Sequence, residues 1–227
     1  MRSALVQRPA VQHVRRPQPR PQRRRLHRCV RAAAAQDAVA GALALLLAAQ
    51  PGVPDLYAAN EQTAAAVSTL VSQPHPDATA AVALGDGRWE VFFGPHFRRV
   101  EALAKFRPVR YVISDGGRRM RSDVHYEMLG TAGWLSTEGS VKANGDGSVN
   151  LLFETFWVEG DSAEPRADNP LTSGAPVSAS AALVNAVGKL GFLPSLSRFP
   201  VLFMDAQAGV CVFEFPPLNT VIAAKRV

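Results

Sequence analysis

NGDGSVNLLFETFWVE, Asn144 to Glu159, joins a turn signal to a strand signal. Asn-Gly and Asp-Gly tolerate positive φ, so residues 144–147 mark a tight hairpin turn. Beyond it Val149, Leu151, Phe153, Thr155 and Trp157 fall on one side of an extended chain. That period of two belongs to a strand and not to a helix.

The same period extends in both directions. RWEVFFG (Arg88–Gly94) puts Trp89, Val91 and Phe93 on one face, and RPVRYVIS (Arg107–Ser114) puts Val109, Tyr111 and Ile113 together. Asp115-Gly116-Gly117 is a second hairpin turn, with strands expected at Arg118–Leu129 and Gly133–Ala143. Near the C-terminus Phe199–Asp205, Val210–Phe215 and Thr220–Arg226 read as strands, with Ala208-Gly209 between the first two. Gly160–Ser180 has no period and is rich in Pro, Ser, Ala, Asp and Gly, which predicts a surface excursion, disordered in part. Ala181–Leu190 reads as a short helix.

About eight strands thus follow one another through short turns. Nothing supplies the crossover helices of a parallel sheet. A meander of this length must hide its edges, and closure does so. The expected fold is mainly β: an antiparallel meander closing into a lipocalin-like (calycin-like) barrel of about eight strands, with N-terminal helices packed against it. A barrel of that size has room for one small apolar ligand.

The N-terminus is chemically different. Its first 36 residues hold ten arginines and no Asp or Glu. The chain has 25 Lys+Arg and 19 Asp+Glu; removing those ten leaves 15 against 19, so a formal charge of +6 becomes −4. The basic character therefore belongs to a leader. Arg-rich, acid-free N-termini resemble organelle transit peptides. Pro17, Pro19 and Pro21 are read as blocking a continuous helix. Val30-Arg31-Ala32 resembles the Val-x-Ala cleavage pattern of chloroplast transit peptides, which places processing near Ala32–Ala35. A mitochondrial presequence is the second reading. A basic arm for nucleic acid is the third, and a mildly acidic body with four lysines speaks against it.

Residues 1–33 are accordingly read as a disordered transit peptide and 34–227 as one domain: helices in 34–74, strands in 84–159, a loop in 160–180, and a short helix with the last strands in 181–227. AVAGALALLLAAQ (Ala38–Gln50) is too short to span a bilayer. It is read as a buried helix with Asp37 in its first turn and Pro51-Gly52 as its stop; the core of a second, thylakoid-lumen signal is the alternative. Pro54–Ser72 is an amphipathic helix by the spacing of Leu56, Tyr57, Asn60, Ala64, Val67, Leu70 and Val71.

Chemistry-bearing motifs are few. Cys29 lies in the leader and Cys211 stands alone in an apolar run, so it reads as a small buried hydrophobe. His75, His96 and His125 lack metal-ligand spacing. Ser136, Ser195 and Ser197 lack a Gly-x-Ser-x-Gly context, and no glycine turn continues as a phosphate loop. No cofactor and no metal are expected.

The order of signals carries a resemblance. A plastid-type leader, two helices, GRWEVFF (Gly87–Phe93) opening the first strand and VLFMD (Val201–Asp205) near the end are together similar to the plastid lipid-associated protein family, the plastid fibrillins. The resemblance spans roughly Gln36–Val227. After Asp205 the chain reads AQAGVCV, without the family's Leu-Arg-Ile strand and Arg-Gly turn, so it resembles a divergent member. The resemblance implies a non-enzymatic chloroplast protein of stroma, thylakoid or plastoglobule. It would hold or organise hydrophobic lipids such as prenylquinones, carotenoids or acyl lipids, with contact to a peripheral membrane surface.

On the strand phases Trp89, Phe93, Tyr111, Phe153, Trp157 and Phe203 face the barrel interior. They form either an apolar lipid pocket or plain barrel core. Arg118, Arg119 and Arg121 are candidates for anionic head groups or a solvated charge run, as are Arg98 and Arg99 beside His96 and Phe97. Glu154 is read as pointing outward. Two other functions stay open. A small isomerase or cyclase on the same barrel would need Glu90, Glu154 or Asp205 turned inward. An assembly factor would need a filled barrel and an exposed apolar patch.

Overall fold

In a computed structural model of the chain, residues 21–48, 60–74, 86–174, 178–191 and 197–227 are described, with side chains from residue 32 onward. The chain divides into two units, Met1–Asp37 and Ala38–Val227. Helix α1 (Pro21–Ala48) begins in the first, and its part from Ala38 belongs to the second. Pro21 opens the helix instead of blocking it, since a proline at the first helical position loses no hydrogen bond. Residues 21–33, expected to be disordered, are therefore helical, and Asp37 lies in mid-helix and not in a first turn. Residues 1–20, Pro51-Gly52, the start of the second expected helix, His75, Leu84-Gly85 and Ser195 lie outside the described residues. Among the described residues no helix is long and apolar enough to cross a membrane.

Helix α2 (Glu61–Val71) starts later than the apolar spacing predicts, because Asn60 is its N-cap and not part of its stripe. The Asn60 Oδ1 accepts from the backbone N–H of Gln62 at 2.8 Å and of Thr63 at 3.3 Å.

The strands are β1 (Gly87–Phe93), β2 (Ala104–Ser114), β3 (Arg119–Met128), β4 (Thr131–Ala143), β5 (Ser148–Gly160), β6 (Arg198–Asp205), β7 (Val210–Phe215) and β8 (Thr220–Arg226). Each pairs antiparallel with the next and β8 returns to β1, so the expected eight-stranded barrel is closed. One end carries the hairpin turns at 115–118, 144–147 and 206–209. The other carries the links at 94–103, 129–130 and 216–219.

Register shifts interrupt β1 between Val91 and Phe93, β6 between Val201 and Phe203, and the β4–β5 ladder between Glu138 and Gly139. A bulge adds one residue and reverses which face the following side chains occupy. Gly139 sits at the last of these, where a Cβ would lie 1.9 Å from the Leu152 carbonyl oxygen; only glycine allows that approach.

Two groups of elements cover the outside, the helices α1 and α2 on one side and a long excursion with its helix on the other. The end of α1 (Ala42, Leu46) and α2 (Ala66, Val67, Leu70) pack with Phe92, Phe93, Leu202, Phe203, Val210, Val212 and Ala223, on the outer face of β1 and β6–β8. Over β1–β5 runs a strap, residues 161–174. Helix α3 (Ala179–Gly191) follows and rests on β5, Gly188 against the Phe156 ring, with the Asn185 Oδ1 accepting from the Phe156 N–H at 3.0 Å.

The strap corrects the expectation of a partly disordered loop. Glu164 accepts from Arg110 at 2.7 Å and from Arg88 at 3.0 Å, the Ala167 carbonyl accepts from Arg121 at 2.7 Å, and Asn169 donates to Glu138 at 3.0 Å. The Trp134 indole donates to the Ser162 carbonyl at 2.9 Å. Beneath it Asp123, 1 % exposed, accepts from Ser136 Oγ at 2.7 Å and from Arg121 Nε at 2.9 Å. Burial raises its pKa against the opposing pull of Ser136 and Arg121.

Candidate functional site

The inward-facing residues of the strands leave a hollow of about 150 Å³ inside the barrel. Its walls are aromatic and aliphatic: Trp89 on β1, Tyr111 and Ile113 on β2, Met120 on β3, Val149, Leu151 and Phe153 on β5, Phe199, Val201 and Met204 on β6, and Phe213 and Phe215 on β7. Tyr111, Ser122 and Cys211 are the lining residues that carry a hydroxyl or thiol, while the Trp89 indole nitrogen is buried within the wall. Gly117, Val141 and Val149 carry the hollow toward the hairpin-turn end.

The link end is stoppered. A short 3-10 turn, Pro95–Arg99, places His96 against Phe97 (ring centroids 4.2 Å apart) and against Phe215 (5.0 Å). Phe97 meets Phe106 at 5.8 Å and Phe215 meets Phe199 at 5.9 Å, so a chain of rings runs from the cavity wall to β2. His96 is buried and its Nδ1 has no hydrogen-bond partner among the described residues. Burial, with Arg99 nearby, lowers its pKa to about 4, so it is neutral at pH 7.

Of the six aromatics expected inside, Trp89, Tyr111 and Phe153 line the hollow. Phe93 and Phe203 do not: they belong to the helix-covered outer cluster. Trp157 is buried on the outer face, paired across from Ser136 and beside the strap residues Arg166, Pro170 and Leu171, its indole donating to Glu159 at 2.7 Å. Each of the three follows a bulge on its own strand or ladder, and simple alternation fails beyond that point. Phe199, Phe213 and Phe215 were not assigned to the interior from sequence, although the alternation in VCVFEF (Val210–Phe215) carries the signal for the last two.

Buried titratable groups in the wall are held neutral. Burial pushes the Cys211 thiol up to about 12 and raises the Tyr111 phenol above its usual range. A thiol with that pKa is a poor nucleophile at pH 7. The carboxylates that an enzyme reading requires lie elsewhere: Glu90 faces Arg110 at 3.6 Å, Glu154 pairs with Arg119 at 2.9 Å, and Asp205 accepts from the N–H groups of Gln207 and Ala208. None of the three lines the hollow.

Four of the five arginines read as candidates for head groups, all but Arg98, have partners within the fold. Arg118 pairs with Asp115, Arg119 with Glu138 and Glu154, and Arg121 with Asp123. Arg99 donates to the Leu218 carbonyl at 3.4 Å. His125 points away from the interior and meets Asp161 of the strap at 2.9 Å. A wider cleft of about 480 Å³ lies under the strap, but its Arg88, Arg121, Glu138 and Asn169 already satisfy one another or neighbouring groups. Among the described residues no group of three or more His, Cys, Asp or Glu could hold a metal ion.

In comparisons with known proteins, no family model matches the chain, and neither a curated protein nor a solved structure matches it.

Proposed function

We propose that this barrel is a non-catalytic binding protein for hydrophobic lipids, in the manner of the plastid lipid-associated proteins that its sequence resembles. It would work in the chloroplast at thylakoid or plastoglobule membranes. The observation that carries the binding reading is the hollow: aromatic and aliphatic walls, neutral polar groups, and no carboxylate among the residues that line it. The Arg-rich, acid-free leader supports the organelle.

The size of the hollow narrows the cargo. A cavity of about 150 Å³ matches one that accepts a single benzene-sized molecule. It takes a ring or a short chain segment of a prenylquinone, carotenoid or acyl lipid, and the remainder lies outside. A membrane setting draws support from the link end, where Val100, Leu103, Met128, Leu129 and Leu218 are exposed together on adjoining links. Such a rim suits contact with an apolar surface.

A second reading, an assembly factor that docks a protein partner, draws on α3. Its Leu183, Val187 and Leu190 recur at helical spacing and are all exposed.

Lipid extraction from the purified mature chain, followed by mass spectrometry, tests the proposal. A stoichiometric lipid with a ring or unbranched chain end is the expected result. A chain that carries no lipid and takes none up from vesicles overturns the binding reading and favours the second.

A further inference from the structure

Ser122 interrupts an apolar column. The inward positions of β3 run Met120, Ser122 and Val124; Met120 lines the hollow and Val124 packs into its wall. Across the β2–β3 ladder Ser122 pairs with Tyr111, which carries a hydroxyl where the other lining rings are phenylalanines and Trp89. Alanine and phenylalanine would fill the same two places without a polar atom. The sequence thus puts two hydroxyls where packing asks for none, and an unpaired buried hydroxyl is costly.

The fold uses neither of them. Among the described residues no side-chain hydrogen bond reaches the Tyr111 or the Ser122 hydroxyl. Nor are they sealed in the wall. The unpartnered polar side-chain atoms that are fully buried are Trp89 Nε1 and His96 Nδ1, so the two hydroxyls keep accessible surface on residues that line the hollow. The Cys211 thiol, by contrast, is turned to the Ala224 carbonyl at 3.7 Å. No Asp, Glu, Lys, Arg or His is among the described residues that line the space. A charged ligand group would lose its water there and meet no opposite charge. A neutral oxygen would meet hydroxyls that can both donate and accept.

We propose that the hollow takes an uncharged group bearing one oxygen, a hydroxyl or carbonyl on a ring of benzene size, held by the hydroxyls of Tyr111 and Ser122. This rests on the binding reading above and names the part of the lipid that enters. It excludes the ionised carboxylate of a free fatty acid. A hydrocarbon end fills the volume but leaves both hydroxyls unpaired.

Phenol and toluene have nearly the same shape and differ by a hydroxyl against a methyl. Each is titrated by calorimetry into the full-length protein as wild type, Ser122→Ala and Tyr111→Phe. Either substitution should lower the preference for phenol over toluene by about threefold to tenfold, the size of one neutral hydrogen bond. Benzaldehyde should bind the wild type, and its charged counterpart benzoate should bind roughly a hundredfold less tightly. Thermal midpoints of both variants should match or exceed wild type, because neither hydroxyl has a partner in the fold to lose. A phenol preference that survives one substitution overturns the part given to that hydroxyl, and survival of both overturns the proposal: water would then serve the two groups. Benzoate as tight as benzaldehyde, or a marked fall in midpoint, overturns it too, while the hollow stays a binding site. If none of these probes binds the wild-type chain, the binding reading falls as well.

Discussion

Leu129 takes the first place of the two-residue turn between Met128 and Thr131, at φ 49°, and is 92 % exposed. Both properties disfavour leucine: the left-handed region suits Gly, Asn or Asp, and a bare isobutyl group gains nothing from water. Leu129→Asn should therefore stabilise the fold, by about 0.5–1 kcal/mol given the usual cost of that conformation. Chemical denaturation reads the change as a higher midpoint. On the proposed function the same variant should bind lipid vesicles less well, because the exposed rim loses its most prominent apolar group. His96 supplies an opposite kind of residue-level effect. Its folded pKa of about 4 lies below the ordinary 6.5, so between those values the unfolded chain binds the extra proton more readily. Stability attached to His96 is thus present above pH 6.5 and is lost as pH falls toward 4. The full loss is on the order of 3 kcal/mol. Denaturation midpoints of wild type and His96→Phe, compared across pH 4–7, should diverge as the pH falls, with the Phe variant less acid-sensitive. Parallel curves would place the acid sensitivity elsewhere.

At the level of elements, alternation and turn chemistry made the eight strands legible. The turn pairs Asp115-Gly116 and Asn144-Gly145 stand where hairpins form, and expected strand boundaries differ from the observed ones by a few residues at most. The interior was half legible for one reason. Bulges carry no strong local signature, and each reverses the face of everything beyond it, as Phe93, Trp157 and Phe203 show. The Gly139 site is where such a bulge could have been suspected, since an isolated glycine within a strand pattern marks a close backbone approach. Gly139→Ala should cost about 2 kcal/mol or more, because the added methyl meets the Leu152 carbonyl and the Phe153 Cα and not a movable side chain. A stability change near zero would mean the ladder can slide. The strap was illegible for a different reason: its fastenings join residues far apart in sequence, such as Arg88 and Arg110 to Glu164, and composition alone resembles disorder. Its anchor is Asp123. Asp123→Ala leaves the half-buried Arg121 and the buried Ser136 without their shared carboxylate, a loss of about 3 kcal/mol, at the low end for broken buried pairs because Arg121 keeps the Ala167 carbonyl. Limited proteolysis should then cut within 161–174, where the intact protein resists.

Across the whole molecule the barrel is closed unevenly. The β3–β4 and β4–β5 ladders run for ten and eleven residue pairs, while β5 and β6 meet over three, from Ser148↔Pro200 to Asn150↔Arg198. Beyond Asn150 one further bond, Leu151 N–H to the Ser197 carbonyl at 2.8 Å, extends the join. Arg198 clamps it by an ion pair to Asp146 and a 3.1 Å bond from Nε to Ser148 Oγ. Val149, Leu151, Phe199 and Val201 on either side of this seam all line the hollow. The outer covers do not brace it equally, since α1 and α2 cover β1 and β6–β8 while the strap fastens to β1–β5. Local opening is easiest where few backbone bonds must break at once, so the seam is where the cavity would exchange its contents. Arg198→Gln should accelerate amide hydrogen exchange at residues 149–151 and 199–201 severalfold and leave the β3–β4 amides near wild type. It should also speed both arrival and departure of a benzene-sized aromatic probe without much change in its affinity, because the open state gains population while the walls of the hollow are unaltered. Exchange that rises equally in every strand would show instead that the barrel opens only by unfolding as a whole, and ligand would then have to pass the hairpin-turn end beside Gly117.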